Sequence, residues 1–200
     1  MAEHLVMEAA AKEAEVQELN EPEVQELPEK EYQRELHLIN QIATITAHTL
    51  DLQEITNKVL GEVLEFCRID AGLLLLWDRV RQRLTFAASK GISTEYLKQI
   101  SQGKLETVIG PHLAAATQPL IIKDTRNDKR LLTSTFAELI QHDPRFRSLV
   151  SIPLTYRDSV TGFLNLASTS PKPFHSSRKF FFSTLGNQIG LAMENARLYH

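Results

Sequence analysis

The chain is poor in the residues that most chemistries need. One cysteine, Cys67, among 200 residues excludes an internal disulfide and a cysteine-rich zinc site. No apolar run reaches the roughly 18 residues of a membrane-spanning helix. The start, Met1-Ala2-Glu3-His4, lacks the basic region and apolar segment of a secretory signal, so a cytoplasmic location is expected. Eight glycines leave little for a phosphate-cradling loop. Neither Gly-x-x-x-x-Gly-Lys, Gly-x-Ser-x-Gly nor His-Glu-x-x-His occurs. The seven histidines, at 4, 37, 48, 112, 142, 175 and 200, are scattered without metal-ligand spacing. No metal site is expected.

What is present divides in two. The formal charge of −3 hides −8 over residues 1–35 and +5 over residues 36–200. Residues 1–28 are rich in Glu and Ala, repeat the word Glu-Val-Gln-Glu-Leu at 15–19 and 23–27, and carry Pro22 and Pro28. Proline interrupts a continuous helix, so this segment reads as a solvated, partly helical or disordered lead-in. Residues 29–200 read as one domain, long enough to bury roughly 70% of their unfolded surface.

Within the domain, Leu36, Ile39, Ala43, Thr46 and Leu50 recur at 3-4-3-4 spacing, widened by Leu38, Ile42 and Ile45. That pattern predicts a helix with a broad apolar face. Asp51 followed three residues later by Glu54 predicts the capping box of a second helix, with Leu52, Ile55, Val59 and Val63 inward. Strands are expected at 71–77 and 84–88, then a short helix capped by Ser93. Residues 103–116 read as a strand and a short helix, 119–123 as a strand, and 131–141 as a helix ending before Pro144. The runs 148–156 and 160–167, split by Arg157-Asp158-Ser159, predict a hairpin. Ser176 or Ser177 is expected to cap a last helix with stripe Phe181, Leu185, Ile189, Ala192, Ala196 and Tyr199. Because strands neighbour one another as local hairpins, the fold class is α+β with an antiparallel sheet.

Several of these segments, in this order, resemble a GAF domain, the small-molecule sensory module of signalling proteins. They are Thr49-Leu50-Asp51-Leu52, Cys67-Arg68-Ile69-Asp70-Ala71, Ala88-Ser89-Lys90-Gly91, Gln118-Pro119-Leu120-Ile121-Ile122-Lys123-Asp124, Ser148-Leu149-Val150-Ser151-Ile152-Pro153-Leu154, Gly162-Phe163-Leu164-Asn165-Leu166, and 188–198. The resemblance implies a central antiparallel sheet of about five or six strands. Its terminal helices would pack on one face, and pocket loops and short helices on the other. It also implies a non-enzymatic regulatory domain that binds a small molecule, dimerises through its end helices, or both, to control an output domain or partner. The alternatives are a passive dimerisation scaffold and, less in keeping with one cysteine, a methionine-sulfoxide-reductase type of enzyme, which lacks a resolving thiol here. Cys67 reads as a small buried hydrophobe.

No cysteine follows Cys67, which argues against covalent bilin attachment in the pocket half. The stretch Pro171-Lys172-Pro173-Phe174-His175 lacks the Asn and acidic pair of cyclic-nucleotide-binding relatives. The resemblance places a pocket near His112, which would serve as a ligand contact or simply as a loop residue. Asp124, Arg126, Asn127, Asp128 and Arg130 follow one strand, Arg145 and Arg147 precede another, Phe136 lies on the covering helix and Ser151 on the late hairpin. Guanidinium groups there suit a carboxylate or phosphate held bidentately, against the plainer reading of a salt-bridged loop. Arg79, Arg81 and Arg83, at i, i+2 and i+4 across a hairpin, form a second basic feature that could share a sheet face, with Arg81 expected in the turn. Without interleaved aromatics, nucleic-acid binding is not expected. These two basic features offer the acidic segment docking points. Screening over about 8 Å at 0.15 M salt favours its free movement instead.

Overall fold

The computed structural model describes residues 29–49, 51–101, 117–130, 143–157, 159–171 and 174–198. The expected features at 103–116 and 131–141, with His112, Phe136 and His142, lie outside these residues.

Helix α1 spans Glu29–His48 and α2 spans Leu52–Cys67. Asp51 caps α2 as anticipated, accepting from the Gln53 and Glu54 amides. The reciprocal arm of the box runs through Thr49: its hydroxyl accepts from the Asp51 amide and donates to Glu54. Arg68, at φ 52° and ψ 52°, ends α2 in the left-handed region. The Ile69 amide then bonds back to Leu64, which closes the helix end.

The chain then enters β1 (Ala71–Asp78) and returns in β2 (Arg83–Lys90). Between them, Asp78 accepts from the Val80 and Arg81 amides. Helix α3 (Thr94–Ser101) starts at Ser93, whose hydroxyl accepts from the Tyr96 amide. Strand β3 (Leu120–Ile122) precedes the long hairpin β4 (Ser148–Tyr156) and β5 (Ser159–Ser168). A 3-10 turn at Ser176–Arg178 leads into α4 (Lys179–Leu198). Ser176 and Ser177 lie within that turn, where the Arg178 amide bonds back to the His175 carbonyl.

The five strands form one antiparallel sheet in the order β2-β1-β5-β4-β3. Side-chain alternation splits the core in two. Leu74, Val150, Ile152, Leu154, Leu164 and Leu166 face the helix layer, while Leu73, Leu75, Leu149, Phe163 and Ala167 face the opposite, distal side with Tyr96 of α3 and Phe146. Helices α2 and α4 lie on the sheet, and α1 rides on both of them as a further layer. The α4–β4 approach is close because Gly190 and Gly186 present no Cβ to the Thr155 and Pro153 carbonyl oxygens.

Two expected faces are displaced. On α1 the buried positions are Glu35, Leu38 and Ile42. Leu36 and Ala43, from the 3-4-3-4 stripe, are exposed, as is Tyr32. The helix has an inward stripe and an adjacent outward one, and periodicity alone does not choose between them. Arg79 and Arg81 both sit in the β1–β2 turn, so they do not share a sheet face with Arg83. Arg79 reaches the buried Glu194 at 3.0 Å instead, and Arg81 holds Asp78 at 2.8 Å.

One polar group anchors the helix layer. Arg178 donates from Nε to Glu35 Oε1 at 2.8 Å. Its guanidinium lies 4.9, 5.3 and 5.6 Å from the ring centres of Phe181, Phe66 and Phe182. It thus joins α1, α2 and α4 through charge and aromatic faces together.

Candidate functional site

The loop 123–130 is built from local carboxylate contacts. Asp124 accepts from the Arg126 amide at 3.1 Å and from Arg147 Nη2 at 3.0 Å. These donors hold its carboxyl below the usual range. Thr125 fastens the loop to the segment before β4, donating from its amide to the Arg147 carbonyl and from its hydroxyl to that of Phe146. Asp128 takes Nε and Nη2 of Arg130, which hold its carboxyl low as well. Arg130 Nη2 also donates to the Ile121 carbonyl at 2.9 Å. Arg145 forms a fork on the buried Asp143, at 2.8 and 2.7 Å.

Three of the four arginines expected to receive an anion, Arg130, Arg145 and Arg147, thus already carry carboxylate partners. Burial explains why: Asp143, and the half-buried Asp124 and Asp128, each require a cation close by.

The structure brings only part of the expected set together. Asp124, Asn127, Asp128 and Arg130 line a groove of about 510 Å³ along β3. Its apolar floor is Pro119 and Ile121, and Lys179 of α4 forms its far wall. Because Ile121 packs in the helix-side cluster, the groove opens toward α4 rather than onto the distal face where the pocket was expected. Arg126 is exposed and does not line it. Arg145 is occupied at Asp143, and Arg147 bridges to Asp124.

Ser151 stands on the other side of the sheet. Alternation from Leu149 points it to the distal face, where its hydroxyl donates to Asn165 Oδ1 at 2.8 Å. Register places Leu120, Ser151, Asn165 and Leu73 on one rung across four strands. Both polar residues are buried, Asn165 to 4% exposure. Among the described residues the Asn165 amide nitrogen has no acceptor, and Arg147 Nε is buried without one.

Sequence reasoning passed over Asn165 as a site residue, and also Lys179. Asn165 is the one strongly polar residue in Gly162-Phe163-Leu164-Asn165-Leu166-Ala167, a signal that was available. Lys179 reaches the groove only through tertiary packing and left no local signal. Cys67 ends α2 half-buried against the helix-side core. Burial pushes its thiol up to about 11, with the Arg178 charge opposing. Among the described residues no three His, Cys, Asp or Glu side chains cluster to hold a metal ion, and no helix is long and apolar enough to cross a membrane.

A five-stranded antiparallel sheet with its long helices layered on one face defines an α+β domain. The model of the GAF domain family matches residues 51–193, and the chain belongs to that family. The fold is shared with solved structures at low identity. The GAF domain of a phosphoenolpyruvate-protein phosphotransferase from Coxiella burnetii has a TM-score of 0.63 at 18% identity, over 84% of this chain and 96% of that one. The GAF domain of a putative sensor histidine kinase from Pseudomonas syringae pv. tomato gives 0.60 at 17%, over 85% and 92%. A free methionine-R-sulfoxide reductase from Neisseria meningitidis, solved with its substrate, gives 0.60 at 14%, over 87% and 96%. No curated protein matches the chain significantly. GAF domains are typical of signalling sensors, and some structural neighbours are enzymes or enzyme-associated.

Proposed function

We propose that this chain is a non-enzymatic regulatory GAF domain that takes a small polar or anionic molecule on the distal face of its sheet. It would pass the occupancy to an output domain or partner through its end helices. The observation that carries this reading is the Ser151–Asn165 pair, a buried polar couple set among Leu73, Leu149 and Phe163 with an amide donor left over. The Asn165 amide can donate to a ligand oxygen among apolar neighbours, where such a bond is stronger than in water. Arg147, whose Nε is buried without a partner, is the cationic candidate of the expected set.

A ligand shifts the end helices only by binding two of their arrangements unequally. The test begins with native mass spectrometry and an absorption spectrum of the purified chain, followed by calorimetry of whatever is retained. Asn165→Leu should abolish that binding while the protein stays folded. Unchanged affinity in Asn165→Leu would refute the site. Absence of any ligand-sized molecule or binding would leave the passive scaffold.

Dimerisation through the end helices has separate support. Phe180, Leu191 and Leu198 lie on one outward stripe of α4, Phe180 at 82% exposure, and Tyr32 and Leu36 face outward on α1. A twofold pairing would cover such stripes. Sedimentation of Phe180→Glu/Leu198→Glu as a monomer, against a dimeric parent, is the expected result. The catalytic alternative is disfavoured because the chain's one thiol sits on the helix side, away from the distal face.

A further inference from the structure

The groove along β3 holds three lysines, Lys123, Lys129 and Lys179, and none of them has an ion-pair partner among the described residues. The other charges there are consumed: Arg130 by Asp128, and Asp124 by Arg147. A cationic groove with an apolar floor therefore faces outward beside the shortest strand of the sheet, at its edge. Exposed strand edges are commonly covered.

The start of α1 lies at the same place. Glu31 Oε1 is 3.9 Å and Glu35 Oε1 2.8 Å from Arg178 Nε, and the next residue, Lys179, forms the groove wall. The first turn of α1 thus begins near the Lys179 wall of the groove, and the chain before Glu29 is tethered there. That preceding chain is the acidic one. Residues 15–28 hold five glutamates and no basic residue, and the twice-repeated Glu-Val-Gln-Glu-Leu adds valine and leucine that suit a floor of Pro119 and Ile121. The second repeat ends two residues before Glu29. At roughly 3.3–3.6 Å per extended residue, a few residues span such a groove. Tethering supplies an effective concentration in the millimolar range, so individually weak lysine–glutamate contacts suffice.

We propose that residues 15–28 dock in the lysine groove beside β3 as an intramolecular acidic strap. The strap covers the sheet edge and occupies the cations that an anionic partner would otherwise meet. This does not depend on the distal-face ligand.

The test uses the full chain as a mixture of ¹⁴N and ¹⁵N protein, coupled with a zero-length carbodiimide that joins carboxylates to amines. Glu15, Glu18, Glu21, Glu23 and Glu26 should couple to Lys123, Lys129 and Lys179 at least about tenfold more than to the exposed Lys90 and Lys98. The links should join chains of one isotope and vanish at 1 M salt, where screening acts over about 3 Å. In a second arm, changing those five glutamates to glutamine should raise acetylation of the three lysines several-fold and leave Lys90 and Lys98 unchanged. Equal coupling to all lysines, links between isotopes, or unaltered acetylation would each overturn the proposal.

Discussion

Replacing Arg178 with methionine keeps most of the side chain's length and removes the charge that Glu35 faces across the α1–α4 seam. The two side chains are 12% and 7% exposed, so the carboxylate cannot turn to water. Breaking a buried pair by deleting one partner typically costs about 3–5 kcal/mol. The carboxylate has an escape, however, because it can take up a proton. Burial already raises the Glu35 pKa above its ordinary value despite the opposing Arg178 hydrogen bond. An acid raised in the folded state contributes stability below its unfolded pKa of about 4.3, and that contribution is lost as pH rises through the folded value.

Without Arg178 the folded pKa climbs further. The variant's deficit should then depend on pH, about 1 kcal/mol on the acid side, where protonation removes the buried charge and only the ring contacts are lost. It should grow to about 3 kcal/mol near pH 8, at no more than about 1.4 kcal/mol per pH unit. Urea unfolding followed by the fluorescence of Trp77, the single tryptophan, reads this difference directly. Adding Glu35→Gln should flatten the pH dependence. A deficit equal at pH 5 and pH 8 would refute the reasoning, because it would mean that Arg178 acts on the aromatic rings and not on a buried charge.

Further outcomes follow from single positions. Gly190→Ala should destabilise by about 2 kcal/mol on urea unfolding, since the added Cβ meets the Thr155 backbone, and this overpacking outweighs the roughly 1 kcal/mol gain in helix propensity. At pH 7.5 Cys67 should react with a disulfide reagent about 300-fold more slowly than in the unfolded chain, given a thiol pKa of about 11 against roughly 8.5. A rate within tenfold of the unfolded one would show that the site is open. Asp70 accepts from the Thr169 amide and from the Thr169 and Ser168 hydroxyls, with the amide the chief cause of its lowered pKa. Asp70→Ala should cost about 1 kcal/mol at neutral pH, and in thermal melts that difference should shrink as pH falls below about 4, through the folded pKa.

Much of the fold was legible because it is local. Asp51 caps α2 through side-chain geometry that its two neighbours supply. The apolar runs 148–156 and 160–167, split by a short polar turn, dictate a hairpin whichever core they face. The charge contrast between residues 1–35 and 36–200 is likewise a matter of composition alone. Other features depend on what lies across a gap. The α1 stripe was misplaced because two adjacent apolar faces satisfy the same periodicity, and only the groove between α2 and α4 selects the one through Leu38 and Ile42. The arginines near Asp124, Asp128 and Asp143 read as anion receptors because sequence shows charges but not partners. Folding buries or half-buries those carboxylates, which then claim the guanidinium groups. Ser151 and Asn165 lie 14 positions apart and form a pair only through strand register. Lys179, far along the chain from Lys123, shares a groove with it only because α4 starts beside β3. Local hydrogen bonding and side-chain period are fixed within a few residues of sequence. The choice of neighbour, and so of which charge is neutralised and which is left to act, waits on the packed structure.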